Sequence, residues 1–174
     1  MQSETLMLYK LIILYILDRV DFPITNGQLT NFILEKEYTN YFNIQQAISE
    51  LVDDQFITGE TIRNSSLYQI TDAGHETLSF FTTTISSAIR EEIDTYLKDH
   101  KYSLREEVST LADYYEKKKD EYVARLRVME RDSAIIDLSL SVPTETEANV
   151  VCNNWRKKSS DIYAYVVSTL MSDE

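Results

Sequence analysis

A chain of 174 residues, 43% hydrophobic and 26% charged, has room for one domain or two small ones and the make-up of a folded globular protein. Its 3 glycines and 2 prolines exclude a Gly-rich phosphate loop and a Pro-rich linker, and its single cysteine, Cys152, excludes an internal disulfide and fits a reducing cytoplasm. Two histidines and one cysteine are too few for a His/Cys metal site, and no cofactor motif is present.

The formal net charge is −12, unevenly spread: residues 1–80 carry 4 basic and 11 acidic side chains, residues 81–174 carry 13 and 18. Residues 6–17 are nearly all apolar, but a helix that spans a bilayer needs about 20 such residues. Glu4 before the run and Asp18-Arg19-Val20-Asp21 after it do not suit a signal peptide. The expectation is a first helix over 6–19, apolar on most sides and buried on two of them. One side would face the domain core and the other a second subunit, so a homodimer built on this helix, on the linker helix described below, or on both is expected.

Phe22-Pro23-Ile24 is an extended connector, because the residue before proline is pushed out of the helical region. Thr25 or Asn26 then caps a helix over 28–36 with Leu29, Phe32 and Ile33 on one face. After a turn over 38–43, the spacing of Ile44, Ala47, Ile48, Leu51 and Val52 predicts a helix over 43–54. Two β-prone runs follow, 56–63 and 66–70, separated by the turn residues Asn64-Ser65. Thr71 caps a further helix, in which Gly74 would allow close approach to the sheet.

Phe80-Phe81-Thr82-Thr83-Thr84 is poor in helix formers and reads as a link. Ile85, Ile89, Ile93 and Leu97 mark a linker helix over about 86–99, and Ser103-Leu104-Arg105-Glu106 has the form of a capping box. Residues 110–142 read as a three-stranded antiparallel meander with three-residue loops at 118–120 and 131–133. Aligning apolar rows sets Ala112 opposite Leu126, Val128 opposite Ile136, Leu126 opposite Leu138 and Ala124 opposite Leu140. The same registers set Asp113 opposite Arg125 and Arg127 opposite Asp137, so charges pair without having been used to choose the alignment. Thr144-Glu145-Thr146-Glu147 is a capping box that opens a helix to about 171, with a stripe of Ala148, Val151, Cys152, Trp155, Ile162, Val166 and Leu170 expected to cover the even-numbered face of the meander.

The string Tyr68-Gln69-Ile70-Thr71-Asp72-Ala73-Gly74-His75-Glu76-Thr77-Leu78 resembles the second wing strand and following helix of winged-helix bacterial regulators. Arg90-Glu91-Glu92-Ile93, Ala112-Asp113-Tyr114-Tyr115 and Cys152-Asn153-Asn154-Trp155 extend the resemblance over nearly the whole chain, to an uncharacterised Firmicutes winged-helix family, domain of unknown function 4364. The resemblance implies an architecture and no catalytic or binding residues. The expected fold is α+β: an N-terminal winged helix-turn-helix, residues 1–82, followed by a three-stranded antiparallel β-meander packed with a long C-terminal helix, residues 83–174.

No nucleophile elbow, Walker loop, dinucleotide fingerprint or metal-binding His pair is present, so the chain is not expected to be an enzyme. Cys152 lies on the apolar stripe and reads as a core thiol, and the clusters Lys117-Lys118-Lys119 and Arg156-Lys157-Lys158 read as solvated surface. The helix over 43–54 stands where a recognition helix would. Asn43, Gln45, Gln46 and Ser49 on it, with Arg63 and Asn64 on the wing, are the candidate DNA-contacting residues, since amides can pair bidentately with adenine. Yet that helix has no Lys or Arg and carries Glu50, Asp53 and Asp54, and phosphate contacts dominate DNA affinity. The expectation is a cytoplasmic winged-helix, transcription-regulator-like protein that binds DNA. The alternative is a protein-interaction or dimerisation module on the same fold that binds none.

Overall fold

Hydrophobicity around the whole of a helix calls for burial around the whole of it, and residues 11–17 of α1 (Gln2–Asp18) are all buried within this one chain. The computed structural model describes residues 2–131 and 133–173; Asp132, in the expected loop 131–133, lies outside them. α3 (Tyr41–Asp53), α4 (Asp72–Phe81) and β3 (Ser65–Ile70) pack around α1, and Tyr15 reaches α5 (Ser87–Ser109) by donating its hydroxyl to both carboxylate oxygens of Asp94, at 2.9 and 3.0 Å. Residues 11–17 are thus covered within this one chain, whereas at the start of α1 Met7 is exposed and Leu6, Leu8 and Tyr9 are half-buried.

The fold is α+β, with six α-helices and two three-stranded antiparallel sheets among the described residues. The chain divides into compact units Met1–Arg105 and Glu106–Glu174. In the first, β1 (Ile24–Thr25), α2 (Asn26–Glu35), α3, β2 (Ile57–Ile62) and β3 follow α1, with strand order β1-β3-β2. Thr25 forms a full capping box with Gln28: its hydroxyl accepts the Gln28 N–H at 3.0 Å and its own N–H reaches Gln28 Oε1 at 2.9 Å. Asn40 caps α3 and Thr71 caps α4. The inner face of α3 is Ile44, Ala47, Ile48 and Leu51, all buried, whereas Val52 is 37% exposed and does not belong to it.

The hairpin turn is Arg63-Asn64, one residue earlier than the composition suggested: Ser65 already pairs with Ile62, and Arg63 takes a left-handed φ of 52°. α4 runs through Phe81, and a short 3-10 turn, Thr82–Thr84, absorbs the threonines. α5 continues to Ser109 straight through the Ser103 capping pattern. Ser103 Oγ donates to the His100 carbonyl at 3.0 Å instead, a bond that a serine makes inside a helix. Ile85, Ile93, Leu97 and Leu104 are buried with the first unit, which is why its limit falls at 105.

In the second unit, β4 (Thr110–Lys118), β5 (Glu121–Glu130) and β6 (Ser133–Val142) form the meander in that order, and every pairing expected from the apolar rows is observed. The loops are shorter than three residues, though. Lys118 pairs with Glu121 and Glu130 with Ser133, leaving two-residue turns, while Lys117 and Ile135 are each skipped as a bulge. A two-residue turn plus one bulged residue produces the same offset as a three-residue loop, so the rest of the ladder keeps its register. Arg127 does face Asp137 across the ladder, but the ion pair is diagonal: Arg125 donates to Asp137 at 3.1 and 2.8 Å.

α6 (Glu145–Leu170), opened by the Thr144/Glu147 box, lays Ala148, Cys152 and Trp155 on the even-numbered face of the sheet, against Ala124 and Leu126. The Trp155 Nε1–H donates to the Arg127 carbonyl at 3.0 Å. The stripe does not reach its expected end: Leu170 is 79% exposed.

Candidate functional site

Because its inner face is filled by four buried aliphatic residues, α3 turns a fixed set of side chains outward. Two side-chain interactions hold it in place. Lys10 of α1 pairs with Glu50 at 2.5 Å, and this ammonium holds the Glu50 carboxyl below its usual range, with Gln46 assisting. Gln45 forms a reciprocal amide pair with Asn26 at the head of α2: Asn26 Nδ2 donates to Gln45 Oε1 at 3.0 Å, and Gln45 Nε2 donates to Asn26 Oδ1 at 3.2 Å and to Thr30 Oγ1 at 3.1 Å. Asn26 also donates to the Tyr68 hydroxyl of β3 at 3.3 Å. The network ties α2, α3 and the sheet together, and its cost of burial is met because each polar group has a partner.

The candidate residues therefore separate. Gln45 is half-buried with its amide engaged and is not solvent-facing, contrary to what base reading requires. Asn43 is half-buried, its side chain donating to Thr39 Oγ1 at 2.9 Å. Gln46 and Ser49 are exposed on α3, with Gln46 donating to Glu50 at 3.3 Å. Arg63 and Asn64 are exposed at the tip of the β2–β3 hairpin.

The aromatic end of the exposed face was not anticipated. α3 starts at Tyr41, not Asn43, so Tyr41 and Phe42 form its first turn, and they are 60% and 75% exposed. Phe42, Gln46, Ser49 and Asp53 follow at spacings of four, three and four, which places them on one stripe. Once the helix start is known, that spacing identifies them. No Lys or Arg lies on α3. Its surface is aromatic at the N-terminal end and acidic at the other.

Little else among the described residues offers chemistry. Among the described residues no group of three His, Cys, Asp or Glu is placed to hold a metal ion, and no helix is long and apolar enough to cross a membrane. Cys152 is buried between α6 and the sheet. His75 Nδ1 meets Asp18 Oδ1 at 2.6 Å on the surface.

A family model matches residues 9–170, nearly the whole chain. The chain belongs to the family described as Domain of unknown function (DUF4364). No curated protein and no solved structure matches it. The DUF4364 match runs through both compact units, so the family is defined by the α3-bearing unit and the meander unit together.

Proposed function

We propose that the first unit is a winged-helix domain that serves as a protein-interaction module, engaging a partner protein through the outward face of α3. The order α1, β1, α2, α3, β2, β3 and the sheet order β1-β3-β2 support the winged-helix assignment, with α3 in the position of a recognition helix and β2–β3 as the wing. The observation that carries the functional reading is the exposure of Tyr41 and Phe42 at the head of a helix that also presents Asp53 and contains no Lys or Arg. Exposed aromatics are the side chains that anchor protein interfaces, because each buries a large area at small cost in rotamer entropy. A DNA backbone instead demands Lys and Arg, and an acidic surface repels it at long range. In this reading the protein is a non-enzymatic component of a reducing cytoplasm, as its lone buried thiol suits.

One observation favours a second reading, a DNA-binding transcription regulator: Gln46 and Ser49 on α3 and Arg63 and Asn64 at the wing tip are all exposed and able to meet base edges or phosphate. Two measurements separate the readings. A photo-cross-linking phenylalanine analogue at position 42, in cells, is expected to yield a discrete protein adduct that is absent when the analogue replaces Thr95 on α5. A mobility-shift assay at low salt with pooled genomic fragments is expected to retain nothing at roughly micromolar protein, a level that captures even non-specific DNA binders. Retention that is lost in Gln46→Ala would replace the interaction reading with the regulator reading.

A further inference from the structure

The two outer strands of the meander are guarded differently. β4 ends in Glu116, Lys117 and Lys118, with Lys117 bulged out of the ladder. Lysines and bulges are what keep a sheet edge from pairing with another chain. β6 has neither along residues 136–142. Its ladder with β5 is regular there, it contains no proline or lysine, and its one charge, Asp137, is bound by Arg125. Among the described residues no strand lies beyond its outer edge, so its outward N–H and C=O groups form an open template. α6 packs mainly on β4 and β5, which leaves Leu140 43% exposed and Ile136, Leu138 and Val142 only half-buried.

We infer that β6 pairs antiparallel with β6 of a second copy of this chain, about a two-fold axis at Ser139, joining two meanders into one six-stranded sheet. The strand is complementary to itself. Residues 136–142 alternate apolar and polar identically in both directions, Ile-Asp-Leu-Ser-Leu-Ser-Val. With the axis at Ser139, Ile136 lies opposite Val142 of the second copy, Leu138 opposite Leu140, and Asp137 opposite Ser141, a hydroxyl that can donate to it. Each apolar side chain then meets an apolar one on the α6 side of the sheet, and no charge meets a like charge. Neighbouring axes fail. One at Asp137 opposes two carboxylates, one at Leu138 runs Ala134 and the bulged Ile135 into the ladder, and one at Leu140 sets Pro143 against Asp137. An odd offset places the apolar row against the polar row. The interface is isologous, so it closes at two copies and consumes the open edge.

The test uses the full chain. Sedimentation velocity at roughly 50 µM, a concentration above typical homodimer dissociation constants, is expected to give a dimer. Ser139 is exposed, and Ser139→Lys or Ser139→Glu each places like charges opposite one another at the axis, so each variant alone is expected to dimerise about fivefold or more weakly. An equimolar mixture of the two is expected to restore the dimer as a heterodimer. Amide exchange of residues 136–142 in the unaltered chain is expected to slow as protein concentration rises, and this measurement decides the matter even if a variant fails to fold. A monomer at that concentration, a dimer indifferent to both variants, a mixture that stays monomeric, or exchange in β6 that ignores concentration would each overturn the inference.

Discussion

Replacing Gly74 with alanine tests how α4 meets the sheet, because two effects of opposite sign compete there. In an open helix, glycine to alanine stabilises by about 1 kcal/mol through backbone entropy. At position 74, however, a Cβ would lie 2.1 Å from the carbonyl oxygen of Phe56 and 2.9 Å from Ile70 Cγ1. The first neighbour is backbone, and it cannot rotate away. That oxygen also accepts the Thr71 N–H at 3.0 Å, while the Thr71 hydroxyl donates to the Gln55 carbonyl at 2.7 Å and accepts the Gly74 N–H at 3.1 Å. Relief requires the start of α4 to retreat from residues 55–56, which strains the cap that holds it. Overpacking costs roughly 1–3 kcal/mol, and each weakened hydrogen bond adds about 1 kcal/mol. Set against the propensity gain, the expected net destabilisation is about 2 kcal/mol. Gly27 supplies the internal control: it lies in α2, and a Cβ there meets only Thr25 Oγ1 at 3.8 Å, so Gly27→Ala is expected to stabilise by about 0.5–1 kcal/mol. Urea unfolding followed by far-ultraviolet circular dichroism measures both; Trp155 fluorescence does not serve, since that residue belongs to the other unit. If Gly74→Ala proved as stable as the parent, the close approach of α4 to Phe56 would be refuted.

Gln45→Ala removes its bonds to Asn26 and Thr30, which keep only Tyr68 and each other as partners, and is expected to destabilise by about 1–2 kcal/mol, against less than about 0.5 kcal/mol for the exposed Gln46→Ala. Equal small effects in denaturant would show that Gln45 is free after all. Trp155→Ala removes a buried ring together with its bond to the Arg127 carbonyl and is expected to cost about 3–5 kcal/mol by circular dichroism; a loss below about 1 kcal/mol would mean that α6 rests elsewhere. Arg125 holds the Asp137 carboxyl below its ordinary value of 3.8, chiefly through their hydrogen bonds. A carboxyl depressed in the folded state contributes stability that is complete above 3.8 and is lost as pH falls through the lower folded value. Carboxyl NMR titration should therefore place Asp137 lower than it lies in Arg125→Gln, and coincident titrations would remove the pair.

Features encoded within a few residues were open to reading from the chain alone. Thr144 and Glu147 announce the start of α6 because capping is a contact between residues three apart. Ile44, Ala47, Ile48 and Leu51 announce the buried face of α3 because helical side chains recur every three to four residues. The meander register was legible because a slip of one residue would have turned the apolar rows outward, and that constraint acts on whole strands rather than on single residues. The same constraint could not reveal the bulges at Lys117 and Ile135, since a two-residue turn with a bulge and a three-residue loop leave the same register behind.

What depended on distant neighbours was decided only in three dimensions. Ser103 has the form of a helix cap, yet α5 continues through it, because Leu104 and Val108 are buried on one continuous helix. Gln45 reads as an exposed amide until Asn26, nineteen positions earlier in the chain, is brought within 3.0 Å of it. The apolar length of α1 does not say what covers it, and over residues 11–17 the cover comes from α3, α4 and β3 of the same chain. In each case a local pattern is compatible with several surroundings, and the residues that choose among them arrive from elsewhere in the chain, so the choice belongs to packing.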